Sequence, residues 1–386
     1  MSELADLTRA LVEIPSHADE TAAGDAIEEW LRAETDADVE RDVDGNVIAR
    51  RNPNGATSLA LVGHHDVVPP APEQVAGDVE DPNDVDGADR YVVEERDGRL
   101  YGRGTADMKG AVAAAMLAFR DADVPADREL VFASFVGEEV GGVGARGAIE
   151  RGFAPDYALV AEGSTNYSAA GVTDVVVAHK GRRGSTVIAT GASAHASEVA
   201  AGTNAIYRAS DAVDLVRDLT FPTVEVVGEE LSGSVAVTEI DGGTAMNVIP
   251  DECTFTVDER TVPGERAALE RVEEIAGVEW TVDQDLPPMA CDDEAFADAA
   301  LSAARAAQDA QADESEAEAT PQHVTKPHAT DAGWLAEAGT TCVVCGPSEP
   351  GEAHTETESV SLDVLARCRR IYRTLAERDL GASDGA

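Results

Sequence analysis

The sequence is short of lysine. Only Lys109, Lys180 and Lys326 occur in 386 residues; arginine supplies the rest of 29 basic positions, against 75 acidic ones. The resulting formal charge of −46 argues against nucleic acid or an anionic membrane surface as a partner, because both demand a basic face. No apolar run is long enough to span a bilayer. The N-terminal MSELADLTRALVEIPS carries acids where a secretory leader would carry bases, so a cytoplasmic location is expected. Cysteine is also scarce: Cys253, Cys291, Cys342, Cys345 and Cys368 are odd in number and widely spaced, which excludes a disulfide framework. The C-x-x-C of Cys342 to Cys345 has no second pair nearby to complete a zinc site and reads as a buried strand, TCVVC.

What is abundant is acid, and it is spread through periodic segments rather than gathered in a tail. That distribution excludes a disordered acidic arm. It fits a folded chain with an acid-coated surface, suited to a cytoplasm of multimolar salt, where screening shortens the range of self-repulsion. The length predicts two domains.

Helical spacing runs over 2–13 and 19–33, followed by β-rich runs at 46–50 and 58–63. Residues 71–99 read as an exposed acidic loop with one hairpin. A glycine-punctuated turn, LYGRGTAD at 100–107, leads into a helix. Strand 129–136, helix 143–151 and strand 156–162 follow. This alternation predicts an α/β sheet covered on both faces. From 175 the order becomes β-α-β-β-α-β, a ferredoxin-like unit, with strands at 234–240, 253–260 and 277–283 and helices at 203–218 and 264–275. Alternation then returns, with helices at 293–309, 331–338 and 361–378, after a solvated acidic stretch at 308–320. The expected organisation is a three-layer α/β/α domain, 1–174 and 285–386, interrupted by an inserted α+β domain, 175–284.

Polar groups cluster where apolar strands end or glycine turns begin: His64, His65 and Asp66; Asp107; Glu138 and Glu139; Glu162; and His354. Ligands of open α/β sheets bind outside the carboxyl ends of the strands. Five acids on one rim repel unless cations neutralise them, and histidine plus carboxylate is a donor set for zinc or a similar divalent ion. The Glu138-Glu139 pair admits two readings: a solvated helix start, or one carboxylate for metal and one to take a proton from water.

In that context GHHDVVP (63–69), YGRGTADMKGA (101–111), GEEVGG (137–142), AEGST (161–165), GASAHAS (191–197), GTNAI (202–206), NVIPDECTFTVDER (247–260), ATDAGW (329–334) and GPSEPGEAHTETE (346–358) together resemble the dinuclear zinc amidohydrolases. That family includes acetylornithine deacetylase, succinyl-diaminopimelate desuccinylase, aminoacylase and carboxypeptidase G. The resemblance implies two divalent ions, zinc first and cobalt second. His64 and Glu162 would hold one, Glu139 and His354 the other, with Asp107 bridging and a cis peptide after it. Asp66 would orient the His64 ring, while His65, at the variable position, has no role. Glu138 would be the general base and then the acid.

His195, in the small domain, would stabilise the oxyanion in a partner subunit, which implies a homodimer with the inserted domain as its dimerisation and lid element. Asn247 and Arg260 would grip the substrate carboxylate, Gly346 would offer a backbone contact, and Arg182, in HKGRRGS, would reach a second carboxylate as in the desuccinylase branch. The reaction expected is hydrolysis of an N-acyl amino acid in lysine or arginine biosynthesis. The alternatives are a dipeptidase or carboxypeptidase of the same family, and a non-catalytic binding relative.

Overall fold

The computed structural model describes residues 2–76, 90–310 and 319–380. The chain forms two compact units, Met1–Ala178 with Ala290–Lys326 and Thr330–Ala386, and His179–Met289 with Pro327–Ala329.

The larger unit is built on a mixed sheet. Its strands lie in the order Asp38–Arg41, Val47–Arg51, Arg128–Phe135, Thr57–His64, Tyr157–Val160, Thr341–Val344, Val175–His179 and Met289–Ala290, with His323–Lys326 paired to Val175–His179. The four strands Arg128–Phe135, Thr57–His64, Tyr157–Val160 and Thr341–Val344 run parallel. Leu59 to Val62 and Leu130 to Val131 are wholly buried, as expected of parallel strands covered on both faces. Their carboxyl ends therefore open on one edge. The helix Gly110–Asp121 is buried at every position from Gly110 to Phe119. Its alanines keep it thin enough to lie between the sheet and its neighbouring helices Glu3–Val12 and Leu362–Glu377.

The smaller unit carries an antiparallel sheet in the order Ser234–Gly242, Glu252–Thr261, Gly181–Thr190, Val278–Leu286. In chain order that is 2-3-1-4, the ferredoxin-like arrangement. Alternation along Glu252–Thr261 sends Phe255 and Val257 to the core under the helix Ala205–Arg217 and Asp258 and Arg260 to the opposite face.

Three expectations are corrected. Residues 264–275 form only a 3-10 segment, Leu269–Glu274, because Ala268 precedes it and supplies no side-chain cap. The 71–99 segment is partly internal: Tyr91 is fully buried with Val67 and Val75, and its hydroxyl meets His17 Nδ1 at 2.6 Å. The expected hairpin is present at Glu94–Arg96 and Arg99–Tyr101, while 77–89 lie outside the described residues. Of the 308–320 stretch, 311–318 lie outside them too, and Gln308 is buried rather than solvated.

Candidate metal centre

Three parallel strands deliver three of the candidate ligands. His64 ends the strand Thr57–His64. Glu138 and Glu139 follow Arg128–Phe135 after a turn in which Gly137 has φ +61°, a region that glycine enters without penalty. Glu162 lies two residues beyond Tyr157–Val160. Asp107 comes from the turn before Gly110–Asp121, and the Asp107–Met108 peptide is cis. His354 sits at φ +65°, a conformation that costs a non-glycine residue roughly 1–2 kcal/mol.

These side chains converge. His64 Nε2 lies 3.1 Å from Asp107 Oδ1 and 3.3 Å from Glu162 Oε1. His354 Nε2 lies 3.1 Å from both Asp107 Oδ2 and Glu139 Oε1. The two Asp107 oxygens thus face the two histidines. Among the described residues, the donor atoms of His64, Asp107 and Glu139, and of His64, Glu138 and Glu162, each fall within 4.8 Å of one another.

The His64 tautomer follows from its other nitrogen. Nδ1 is 3.0 Å from the Asp66 carbonyl oxygen, which can only accept, so Nδ1 carries a proton, and Nε2 faces the cluster, where Asp107, Asp66 and Glu162 hold the ring well above the usual imidazole range against the cost of burial. Asp66 therefore orients the ring mainly through its carbonyl; its carboxylate Oδ1 is 3.3 Å away, and its Oδ2 accepts from the Glu139 N–H at 3.0 Å. His65 turns into the sheet, meets Ser134 Oγ at 2.9 Å, and is pushed by burial to about 3, so it is neutral.

The electrostatics are those of an acid cluster with too few positive partners. Burial, together with Asp331, Glu162 and Asp107, raises Glu138 well above the usual carboxyl range against the pull of His64. Burial likewise raises Glu139. Glu162 moves down despite burial, held by Lys326 and His64. Donation from its ring to the Asp107 and Glu139 carboxylates pushes His354 up to about 10. Excess carboxylates around two histidines, with Nε2 atoms turned inward, fit a pair of divalent cations.

Four residues in this region escaped the sequence reading. Glu358 is wholly buried. It takes Arg103 Nη1 at 2.5 Å and the N–H groups of Ala106 and Asp107 at 3.0 and 3.1 Å, tying the Asp107 turn to the His354 loop. Asp331, which burial pushes to about 7, has no hydrogen-bond partner for either carboxyl oxygen among the described residues. Lys326, raised chiefly by Glu162 against the cost of burial, touches Glu162 itself.

Gly346 lies two residues beyond the strand Thr341–Val344. Its N–H donates to Ser164 Oγ at 3.1 Å and its carbonyl accepts from Ser164 N at 3.1 Å, so its backbone is already engaged. The remaining candidates belong to the smaller unit. Arg182 and Arg260 are direct cross-strand partners and share Asp258, each Nε 2.7 Å from one of its oxygens. His195 lies on a two-residue ribbon opposite Val248, and Asn247 adjoins it, its carbonyl accepting from the Ala196 N–H at 2.8 Å. The Ser197 N–H donates to His195 Nδ1 at 3.2 Å, which leaves the neutral ring's proton on Nε2.

Comparison with known proteins decides the family. Residues 60–378 match the model of peptidase family M20/M25/M40. The chain belongs to this family. An acetylornithine deacetylase from Myxococcus xanthus is 31% identical over 335 residues, 82% of this chain and 79% of that protein. The fold matches aminopeptidase PepT from Bacillus cereus with a TM-score of 0.75 at 19% identity, covering 97% of both chains. It also matches the YXEP protein of Bacillus subtilis, a dinuclear metal-binding peptidase of family M20, with a TM-score of 0.67 at 19% identity, covering 97% of this chain and 96% of that one. The M20 chain described here is therefore a hydrolase of amide bonds, in a family that binds two metal ions. Among its described residues no helix is long and apolar enough to cross a membrane.

Proposed function

We propose that this M20 hydrolase removes the acyl group from an N-acyl amino acid, with N-acetylornithine and N-succinyl-diaminopimelate as the leading substrates, in arginine or lysine biosynthesis. The observation that carries the reading is the convergence of His64, Asp107, Glu162, Glu139 and His354 beside a buried glutamate of raised pKa. His64, Glu162 and Asp107 would hold one divalent ion, and His354, Glu139 and Asp107 the other, zinc before cobalt. When bound, the two ions supply Lewis acidity toward the amide carbonyl and toward the attacking water.

The chain's own residues do the rest. Asp66 fixes the His64 ring. Glu138 receives the proton of the attacking water and returns it to the leaving nitrogen, a task that suits a carboxyl moved toward neutrality. His195, with its proton on Nε2, is a donor for the developing oxyanion, and Asn247, Arg260 and Arg182 are the candidates for substrate carboxylates. The deacylase reading is supported by the Myxococcus relative. A second reading, dipeptidase or carboxypeptidase, is supported by the likeness to aminopeptidase PepT. A homodimer is supported by the exposure of Ile240, on the edge strand Ser234–Gly242, and of Tyr207 and Met246 in the same smaller unit.

The test is hydrolysis of both substrates and of a dipeptide, side by side, in multimolar KCl with zinc or cobalt and a chelator control. Chelator-sensitive release of acetate or succinate is expected. Cleavage of the dipeptide alone would replace the deacylase reading with the peptidase one. No turnover in folded, metal-loaded protein would remove both.

A further inference from the structure

Glu162 is held from two sides. Its Oε1 faces His64 Nε2 at 3.3 Å. Its Oε2 lies 3.4 Å from Lys326 Nζ, and the same ammonium donates to the Gly163 carbonyl at 3.0 Å. Lys326 is 6% exposed, so this is an internal contact and not a surface pair. Glu139, the matching carboxylate of the His354 side, is treated differently. Its Oε1 meets His354, and among the described residues no lysine or arginine pairs with its Oε2. The two halves of the cluster are unequal in charge and in available oxygens.

We propose that Lys326 is a positioning residue that leaves Glu162 one oxygen, Oε1, for the ion beside His64, making that metal position the weaker of the two and leaving it an additional open coordination place. The inference rests on the dinuclear reading above. An ammonium and a divalent cation compete for one carboxylate, and in a buried site their mutual repulsion is poorly screened. The residue type matters here. A guanidinium fork matches both oxygens of a carboxylate at once, whereas an ammonium is a point charge that can hold one. In a chain whose bases are otherwise arginine, with Lys109, Lys180 and Lys326 the only exceptions, lysine stands where one oxygen must stay free. An open coordination place is what distinguishes a catalytic metal position from a closed structural one.

The experiment is a titration of the metal-free full chain with Co²⁺ in multimolar KCl, followed by calorimetry and by visible absorption. Wild type is expected to bind two ions in two affinity classes. Lys326→Met should tighten the weaker class by about tenfold or more and weaken the visible band as Glu162 adds its second oxygen. Lys326→Arg should loosen the same class below wild type, because the fork takes both oxygens. Equal sites in wild type, or an unchanged or weakened affinity in Lys326→Met, would overturn the proposal. So would loss of the fold in both Lys326→Met and Lys326→Gln, since the lysine would then be structural. Failure of wild type to bind any Co²⁺ is a different result: it removes the dinuclear reading itself, and this inference with it.

Discussion

Glu138 is the single side chain through which protons would pass. Replacing it with glutamine keeps its size and its burial but removes its capacity to accept a proton. Glu138→Gln should lower kcat by roughly 10²–10⁴-fold while two equivalents of metal remain bound, measured by elemental analysis of the same sample. In wild type the rate should rise with pH as Glu138 loses its proton, since the base works only when ionised. Burial and the neighbouring acids raise Glu138 in the metal-free chain; two bound cations would draw it back down, and the limb should be absent from the residual activity of the variant. Residue-level chemistry was partly legible in the sequence. His64, Asp107, Glu139, Glu162 and His354 each stand at the end of an apolar run or in a glycine-marked motif. Glu358, Arg103, Asp331 and Lys326 carry no such mark. Arg103 and Glu358 are 255 residues apart in the chain, and Lys326 and Glu162 are 164 apart; such pairings exist only once the sheet has brought the loops together.

At the scale of elements, the centre depends on turns rather than on the strands that precede them. The Asp107 turn and the His354 loop are joined through Glu358, whose carboxylate satisfies a guanidinium and two backbone N–H groups at once. Burial, with Asp107 nearby, raises this carboxyl to about 7 even against the three donors, which favour its charged form. Glu358→Ala would leave Arg103 as an uncompensated buried charge, which costs about 3–5 kcal/mol. Thermal denaturation should show the loss in the metal-free protein as well as in the loaded one; an unaltered midpoint would remove the clamp role. Strands and helices with strong apolar periodicity were readable, as with Arg128–Phe135 and Glu294–Asp309. The four-residue strand Asp38–Arg41 and the ribbon Thr223–Val226 with Glu229–Ser232 were not, because each buries a single residue and so leaves little pattern. The helix expected over 264–275 failed for the opposite reason, having helical spacing without a cap.

At the scale of the molecule, charge dominates. A formal −46 destabilises a compact chain through self-repulsion unless salt screens it. The thermal midpoint should fall steeply as KCl is diluted from multimolar to tenths of molar, and unfolding at constant temperature should follow; a midpoint that ignored salt would remove the high-salt reading. The connections between the two units have their own bearing on how such a protein can change. The chain leaves the larger unit at Ala178 and re-enters it at Ala290, and the strands that hold these two points, Val175–His179 and Met289–Ala290, are sheet neighbours. To the larger unit, the span His179–Met289, the bulk of the smaller one, is therefore topologically a long excursion between adjacent strands. Such a junction tolerates replacement of what hangs from it: the inserted module can be lengthened, remodelled or exchanged as a cassette while the strand ends that carry the candidate donors stay in register.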